Sequence, residues 1–248
     1  MNSPLVSEMP DGRRIAYRHV SGEGPTLVFL PGYMSDMSGG KATALFERAR
    51  ELGRACLLLD YSGCGRSAGK FADGTLSRWR DEVLHLIKHH VTGNVVLAGS
   101  SMGGWLMLLI AEKLDQQLAG IIGIAAAPDF TRWGYDAMQR AQLLAGETVF
   151  EDNPYGPDPT PTYANFFSDA EQQLQLDREI EITCPVRLLH GQRDTDVPWE
   201  KSLDLAAALR SDDVQVRLIK DGDHRLSREQ DIAVLEAIVD EFYDGNCP

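Results

Sequence analysis

One short stretch constrains this chain more than any other. An apolar run typical of a strand breaks on Gly99-Ser100-Ser101-Met102-Gly103, and an apolar helical pattern follows. This is a Gly-x-Ser-x-Gly sequence between a strand and a helix, which is the layout of a nucleophile elbow. Such a turn forces its middle residue into sparsely allowed backbone geometry, and the flanking glycines keep neighbouring backbones from clashing. The sequence therefore predicts that the Ser101 hydroxyl stands clear of a sheet as a nucleophile.

Two other serines compete with Ser101 for this role. Ser67 lies in Gly65–Gly69, which fits the same pattern, but the residues after it are typical of a loop. Ser100 directly precedes Ser101, yet only Ser101 has a glycine at the second position on both sides. Because a short motif depends on its structural context, Ser67 is interpreted as a loop residue and Ser100 as one that packs or hydrogen-bonds near the strand end.

A nucleophilic serine needs a general base and a group that orients this base. A buried-strand pattern, Val186–His190, leads into a turn-rich segment that carries Asp194, and an alternating strand pattern, Val214–Ile219, is followed by His224. The carboxyl ends of parallel strands share one rim of the sheet. The sequence therefore predicts a catalytic triad of Ser101, Asp194 and His224, in that chain order.

Each of these assignments has rivals. Five further histidines are present: His19, His85, His89, His90 and His190. His85 and His89 lie one turn apart in a helical pattern, as surface histidines often do, and His190 ends a strand and is interpreted as a satisfied core group. Asp196 adjoins a helix start, where a negative charge is favourable. Asp194 is preferred as the acid because it lies nearer the strand end.

Acyl transfer also needs hydrogen-bond donors for the tetrahedral oxyanion. One predicted donor is the N–H of Met102, directly after the nucleophile. The second is expected in the loop that follows the early strand Thr26–Leu30, where Tyr33 is the candidate. The Pro31-Gly32 pair before it also fits a simple tight turn.

Composition excludes several classes of protein. The formal net charge of −13 argues against nucleic acid, because phosphate binding depends on clustered Lys and Arg. No apolar run approaches the roughly 18 residues of a membrane span, and Met1–Arg14 has no apolar signal core. The four cysteines lack metal-ligand spacing and are interpreted as reduced intracellular thiols: Cys56, Cys64, Cys184 and Cys247. The sequence predicts no cofactor and no metal.

Strand and helix patterns alternate along the chain. A probable edge hairpin comes first, Arg13–Val20 with Thr26–Leu30. Later strands are predicted at Arg54–Leu59, Asn94–Gly99, Leu118–Ile124, Pro185–His190 and Val214–Ile219. Helices are predicted at Gly40–Leu52, Thr75–His90, Met102–Asp115, Pro198–Leu209 and Glu229–Phe242. Such alternation predicts an α/β fold, a mostly parallel sheet with helices on both faces, in a single domain over residues 1–248.

The segment Asp129–Thr183 interrupts this alternation and is predicted to be an inserted helical lid. Helical patches at Arg132–Ala145 and Ser168–Leu176 flank a Pro-rich loop, and Ser168 with Glu171 fits a capping box. Its aromatic residues are Phe130, Trp133, Tyr135, Phe150, Tyr155, Tyr163, Phe166 and Phe167. These rings either roof an acyl pocket beside Ser101 or form a small satellite core, and aromatic enrichment alone does not separate the two.

Six motifs together carry a family resemblance that spans nearly the whole chain: Gly12–Tyr17, Phe29–Tyr33, Asp60–Ser67, Gly99–Leu108, Cys184–Gly191 and Asp223–Arg225. They resemble the α/β-hydrolase family that includes the mitochondrial acyl-protein depalmitoylases, also described as mycophenolic acid acyl-glucuronide esterases. The resemblance implies a serine hydrolase of esters or thioesters whose triad matches Ser101, Asp194 and His224. It also implies that Ser67 belongs to a Gly-x-Gly-x-Ser loop.

The resulting hypothesis is a serine hydrolase that cleaves carboxylic esters or thioesters of a small molecule or an acylated protein. The oligomeric state stays open. The predicted compartment is the cytoplasm, with the mitochondrial matrix implied by the resemblance alone. The same triad also serves carbon–carbon bond hydrolases and peptidases, and a non-catalytic ligand receptor is the alternative outside the enzymes. An Asp-nucleophile hydrolase such as a dehalogenase is disfavoured by the serine at the elbow.

Overall fold

A twisted eight-stranded sheet forms the centre of the molecule, in a computed structural model that describes residues 3–154 and 156–243. The strand order is β1-β2-β4-β3-β5-β6-β9-β10. The strands are β1 Leu5–Glu8, β2 Arg14–Val20, β3 Glu23–Leu30, β4 Arg54–Leu59, β5 Val95–Ser100, β6 Leu118–Ile124, β9 Val186–Gly191 and β10 Val214–Ile219. Pairing is antiparallel for β1 with β2 and for β2 with β4, and parallel elsewhere in this sheet. The predicted mostly parallel α/β fold is confirmed.

Helices cover both faces of the sheet. They are α1 Gly40–Glu51, α2 Leu76–His90, α3 Met102–Leu114, α4 Phe130–Trp133, α5 Ala137–Leu144, α6 Ala164–Ala170, α7 Glu200–Ala208 and α8 Glu229–Asp240. One core layer contains Leu86 of α2, Trp105 of α3 and Leu205 of α7, and the opposite layer contains Leu45 of α1 and Ile238 of α8. The central strands are therefore apolar on both faces, as parallel strands between helix layers require.

The predicted edge hairpin is wrong. The strand β2 pairs with β1 and β4, whereas β3 lies between β4 and β5. The reason is visible in burial: Leu27–Leu30 at the end of β3 is entirely buried, and a strand apolar on both faces belongs at the centre of a sheet rather than at its edge.

The segment between β6 and β9 is an insertion with its own secondary structure. It holds α4, α5 and α6 and a small antiparallel pair of strands, β7 Val149–Glu151 and β8 Thr160–Thr162. The predicted helix over Arg132–Ala145 is broken into α4 and α5. The predicted capping box at Ser168 is wrong, since α6 begins at Ala164 and places Ser168 inside it. A capping box exists instead at Asp136, which accepts from Gln139 N at 2.8 Å at the start of α5.

Cys56 and Cys64 are buried free thiols and Cys184 is half-buried, whereas Cys247 lies outside the described residues. Across the described ranges, no helix combines the length and the apolar character needed to cross a membrane. In the same part of the chain, no three His, Cys, Asp or Glu side chains are grouped to hold a metal ion.

Candidate active site

Ser101 occupies the sharp turn between β5 and α3. Its backbone angles are φ 54° and ψ −122°, a region that residues other than glycine seldom adopt. The glycines around it are required by contact: a Cβ on Gly99 would lie 2.3 Å from the Gly103 carbonyl oxygen, and a Cβ on Gly103 would lie 2.2 Å from the Leu30 carbonyl oxygen. The sequence signal for an elbow therefore corresponds to real steric restrictions.

Hydrogen bonds to the neighbouring strand hold this strained turn. Ser101 N donates to the Ile124 carbonyl at 2.9 Å, and Ala127 N donates to the Ser101 carbonyl at 3.1 Å. Both partners lie at or just beyond the end of β6. The backbone at Ser101 is thus fixed by the sheet itself, which leaves its side chain facing the cavity above the rim.

The rival serines have other surroundings. The Ser67 hydroxyl accepts from Ala16 N at 2.8 Å and donates to the Asp60 carbonyl at 2.6 Å, so it ties a loop to strand β2. Ser100 also lines the cavity, but it is buried as the last residue of β5 and lies in the strand instead of at the turn. Neither has the positive φ of Ser101.

Asp194 and His224 meet at the same rim. His224 Nδ1 lies 2.8 Å from Asp194 Oδ2, and His224 lines the cavity together with Ser101. The Asp194 side chain is 0% exposed, while that of His224 is 15% exposed. An imidazole held by a buried carboxylate at Nδ1 presents Nε2 outward, which is the arrangement of a general base.

The carboxylate of Asp194 is saturated with donors. Its Oδ1 accepts from the amides of Asp196 at 2.9 Å and Val197 at 2.8 Å, and its Oδ2 accepts from two imidazoles, His224 and His190. Burial alone would raise the pKa of Asp194, but the hydrogen bonds from His190 and His224 hold it well below its usual range. Asp194 is therefore ionised whenever the protein is folded near neutral pH.

The sequence does not predict the contact between His190 and Asp194. His190 is fully buried, as expected of a core group, and its Nε2 lies 3.1 Å from Asp194 Oδ2. The available signal was its position: His190 ends β9 only four residues before Asp194, so both lie at one rim of the sheet.

The loop after β3 passes close to Ser101. A Cβ on Gly32 would lie 3.3 Å from Ser101 Cβ, so the backbone leading to Tyr33 is within reach of a group bound to Ser101. The Met102 amide stands at the first position of α3, where N–H groups have no partner within the helix. Met102 and Tyr33, the two residues predicted to supply oxyanion donors, both line the cavity together with Ser101.

The Asp60 side chain binds the loop after β3 through a hydrogen bond. Its buried carboxylate accepts from Met37 N and from Arg66 N, each at 2.7 Å. Met37 belongs to the loop after β3, whereas Arg66 belongs to the Gly-x-Gly-x-Ser loop. One carboxylate therefore joins the two loops, and burial raises its pKa.

A cavity of about 740 Å³ lies above the rim. Its walls include three aromatic side chains of the insertion, Phe130, Trp133 and Tyr135. Its ionisable lining side chains are Asp36, Lys41, Glu151, Asp152, Asp196, His224 and Arg225. Burial lowers the pKa of Lys41 to about 8, and its ammonium donates to the Arg225 carbonyl. The cavity thus has an aromatic part and a charged part.

The predicted lid aromatics divide between the two expected roles. Phe130, Trp133 and Tyr135 line the cavity, whereas Phe167 packs with Tyr135 in a small core of the insertion and Phe166 joins the main core. Phe150 is 62% exposed. Tyr163 contacts Phe71 edge to face, and Tyr155 lies outside the described residues.

Comparisons with known proteins agree with this geometry. Residues 27–238 match the model of the alpha/beta hydrolase family. The chain is similar to mouse (Mus musculus) palmitoyl-protein thioesterase ABHD10, mitochondrial, with 39% identity over 96% of this chain and 80% of that protein. The human (Homo sapiens) protein of the same name is 36% identical over 95% of this chain and 78% of its own length.

A solved structure gives the same result. Alpha/beta hydrolase domain-containing protein 10 from mouse superimposes with a TM-score of 0.91 at 35% sequence identity, covering 98% of this chain and 99% of that chain. The resemblance drawn from the six sequence motifs is confirmed, and so is the hydrolase class. The chain is a serine hydrolase that belongs to the α/β-hydrolase family.

Proposed function

We propose that this protein hydrolyses carboxylic esters and thioesters through an acyl-enzyme on Ser101. The observation that carries the proposal is the 2.8 Å contact of Asp194 Oδ2 with His224 Nδ1, beside the strained serine and within one cavity. A serine at an elbow without a base would be inert near neutral pH. A base that is fixed by a buried acid supplies the missing proton acceptor.

The reaction follows from these positions. His224 Nε2 takes the Ser101 proton as the hydroxyl oxygen attacks the substrate carbonyl, and Asp194 stabilises the imidazolium that forms. The amides of Met102 and Tyr33 donate to the oxyanion. His224 then protonates the leaving thiol or alcohol, activates a water that cleaves the acyl-enzyme, and returns the proton to Ser101.

The proposed substrate class is an acylated protein or a small acyl ester. The curated mouse and human relatives are named palmitoyl-protein thioesterases, and the aromatic wall of the cavity, Phe130, Trp133 and Tyr135, offers an apolar surface for an acyl group. We propose the insertion over residues 129–183 as the lid that carries this wall.

The relatives' names also bear on the compartment. They include the word mitochondrial, which favours the mitochondrial matrix as the proposed location. The comparisons give no support to the cytoplasmic prediction.

The test is kcat/KM for a thioester and an oxyester of the same acyl group. Replacing Ser101 by Ala is expected to lower kcat by about 10⁴-fold or more, because an alanine has no oxygen to acylate. Ser100→Ala is the matched control, since it removes the neighbouring hydroxyl and leaves the elbow serine. Equal loss in both variants, or full activity in Ser101→Ala, contradicts the proposal.

The same experiment separates the alternatives. A ratio that favours the thioester indicates a thioesterase, and comparable rates indicate a general esterase. If neither substrate shows turnover that depends on Ser101, the result favours the alternative hypotheses of a carbon–carbon bond hydrolase, a peptidase or a non-catalytic receptor.

A further inference from the structure

We infer that His190 is a positioning residue, which fixes the acid Asp194 and thereby sets the basicity of His224. This inference rests on the proposed function, since it concerns the same triad. His190 touches neither the cavity nor Ser101, so it acts only through Asp194.

The neighbours of His190 determine which nitrogen carries its proton. Nε2 lies 3.1 Å from Asp194 Oδ2 and 3.1 Å from the Val197 carbonyl oxygen, and both of these groups are acceptors. Nε2 must therefore be protonated. Nδ1 lies 2.8 Å from the hydroxyl of Ser202, which is buried in α7 and can donate to it. With the Ser202 hydroxyl donating to Nδ1, the Nε2–H is the donor that His190 presents to Asp194.

The Nε2–H of His190 gives the Asp194 carboxylate its fourth hydrogen bond. Two amides hold Oδ1 of Asp194, whereas among the described residues the donors to Oδ2 are the two imidazoles, His224 at 2.8 Å and His190 at 3.1 Å. In the proposed mechanism His224 gains and loses a proton, and with it a positive charge, during each turnover. His190, in contrast, lies in the core at 0% exposure. His190 is therefore the fixed partner that keeps Oδ2 in place while His224 gains and loses a proton.

A second donor on Oδ2 also has an electrostatic consequence. The His190 N–H stabilises the negative charge of Asp194 and competes with His224 for the same oxygen. When this donor is absent, the carboxylate interacts more strongly with the imidazolium form of His224. The acidic limb of the kcat/KM profile, which reports the base in the free enzyme, is then expected to move to higher pH.

Asparagine and glutamine at position 190 separate the two sides of the imidazole. The shorter Asn amide reaches toward the Nδ1 position and Ser202 but leaves Asp194 Oδ2 without its second donor. The Gln amide reaches the Nε2 position and donates to Asp194. The two variants differ by one methylene group and are matched in polarity, so their difference reports the contact with Asp194.

The experiment is the pH profile of kcat and KM for the full-length protein with one ester substrate. His190→Asn is expected to lower kcat about ten-fold, because the acid loses its fixed orientation, with KM little changed and the acidic limb about half a pH unit higher. His190→Gln should stay within about three-fold of the original protein with its limb unmoved. The other charged side chains that line the cavity are the same in all variants and cancel in the comparison: Asp36, Lys41, Glu151, Asp152, Asp196 and Arg225.

Three controls make the outcome decisive. His89→Asn changes an exposed histidine of α2 outside the cavity and should match the original protein. Thermal unfolding and titration with a serine-directed fluorophosphonate count the folded sites. If His190→Asn does not fold, a loss of kcat or a moved limb in folded His190→Gln still overturns the inference.

Equal profiles for Asn and Gln, or a uniform loss of kcat without movement of the limb, overturn the role of His190. Ser101→Ala measured alongside keeps the two hypotheses apart. If its turnover equals that of the original protein, the proposed function itself fails. If turnover depends on Ser101 while His190→Asn behaves normally, only this inference fails.

Discussion

Asp194 combines a completely buried side chain with a negative charge. Burying an isolated carboxylate costs so much free energy that the group would normally take up a proton. Here two amides and two imidazoles donate to its oxygens, and the pKa of Asp194 falls well below its usual range as a result. The residue proposed to orient the base is thus held ionised by the same contacts that fix its position.

This gives a prediction for Asp194→Asn. A carboxylate whose folded pKa lies below its unfolded value of about 3.9 stabilises the fold above that pH and loses this contribution as the pH falls toward the folded pKa. The stability advantage of the original protein over the variant should be full at pH 7 and should shrink below about pH 4. Urea unfolding at several pH values measures it.

Asp196→Asn is the control for this experiment, because Asp196 is an exposed neighbour in the same loop. Its difference from the original protein should stay small at every pH. An offset for Asp194→Asn that is the same at pH 7 and pH 3 would contradict the argument. The variant should also lose about 10⁴-fold in kcat, since the base is no longer oriented.

At the scale of elements, the base of the insertion is closed by one side chain. Asp129, at the start of α4, accepts from Gln175 N at 2.9 Å and from Leu176 N at 2.8 Å, and Trp105 of α3 donates to the Gln173 carbonyl at 3.0 Å. The two ends of the insertion are therefore joined to each other and to α3, the helix that follows Ser101. The position of the aromatic wall depends on this closure.

Asp129→Asn is predicted to loosen the insertion. Asp129 has a φ of 56°, which Asn also tolerates, so the variant removes the charge with little change in backbone preference. The amides of Gln175 and Leu176 both donate to the Asp129 carboxylate, and the Asn side chain has one oxygen fewer to accept from them. One amide therefore loses its acceptor, at a cost of about 1–3 kcal/mol. Limited proteolysis should cut faster within residues 136–160, and kcat/KM should fall more for bulky acyl esters than for acetyl esters.

Asp136→Asn supplies the matched control. Asp136 caps α5 in the same insertion, and Asn is an equally good cap. It should leave both proteolysis and substrate preference almost unchanged. Cleavage rates for Asp129→Asn that equal those of the original protein would show that the insertion does not depend on this carboxylate.

Elements that local residue patterns determine could be predicted from the sequence, whereas those that depend on contacts between distant segments could not. The bounds of β4, β6 and β10 coincide with the predicted strands, because their residue patterns end in clear turns. The hairpin and the lid helices were not predicted correctly. Strand partners depend on the sheet order. In the insertion, α4 ends at the C-cap Gly134 and Asp136 caps the start of α5, so one predicted helix is divided in two.

At the scale of the whole molecule, the sheet topology assembles the site. Ser101 follows β5, Asp194 follows β9 and His224 follows β10, and the order β5-β6-β9-β10 brings these ends to one rim. A nucleophile elbow and two rim residues were readable from local patterns. The contact of His190 with Asp194 was not, since it depends on how the loop after β9 folds back over its own strand end.

The net charge of −13 leads to the last prediction. Besides His224, the cavity is lined by four acidic side chains and two basic ones: Asp36, Glu151, Asp152 and Asp196, with Lys41 and Arg225. A negative field at the mouth of a cleft raises the encounter rate of cationic substrates, commonly by about ten-fold or more at low salt. Thioacylated peptides flanked by Lys should therefore show higher kcat/KM than the same peptides flanked by Glu.

Salt provides the check on this argument. The screening length falls from about 30 Å at 0.01 M to about 3 Å at 1 M salt, so the advantage of the Lys-flanked peptide should shrink steadily across that range. An uncharged peptide of the same length should show a nearly constant kcat/KM and serves as the control. A Lys preference that survives 1 M salt would place the discrimination in direct contacts within the cavity instead, with Asp36 and Asp196 as the side chains to replace first.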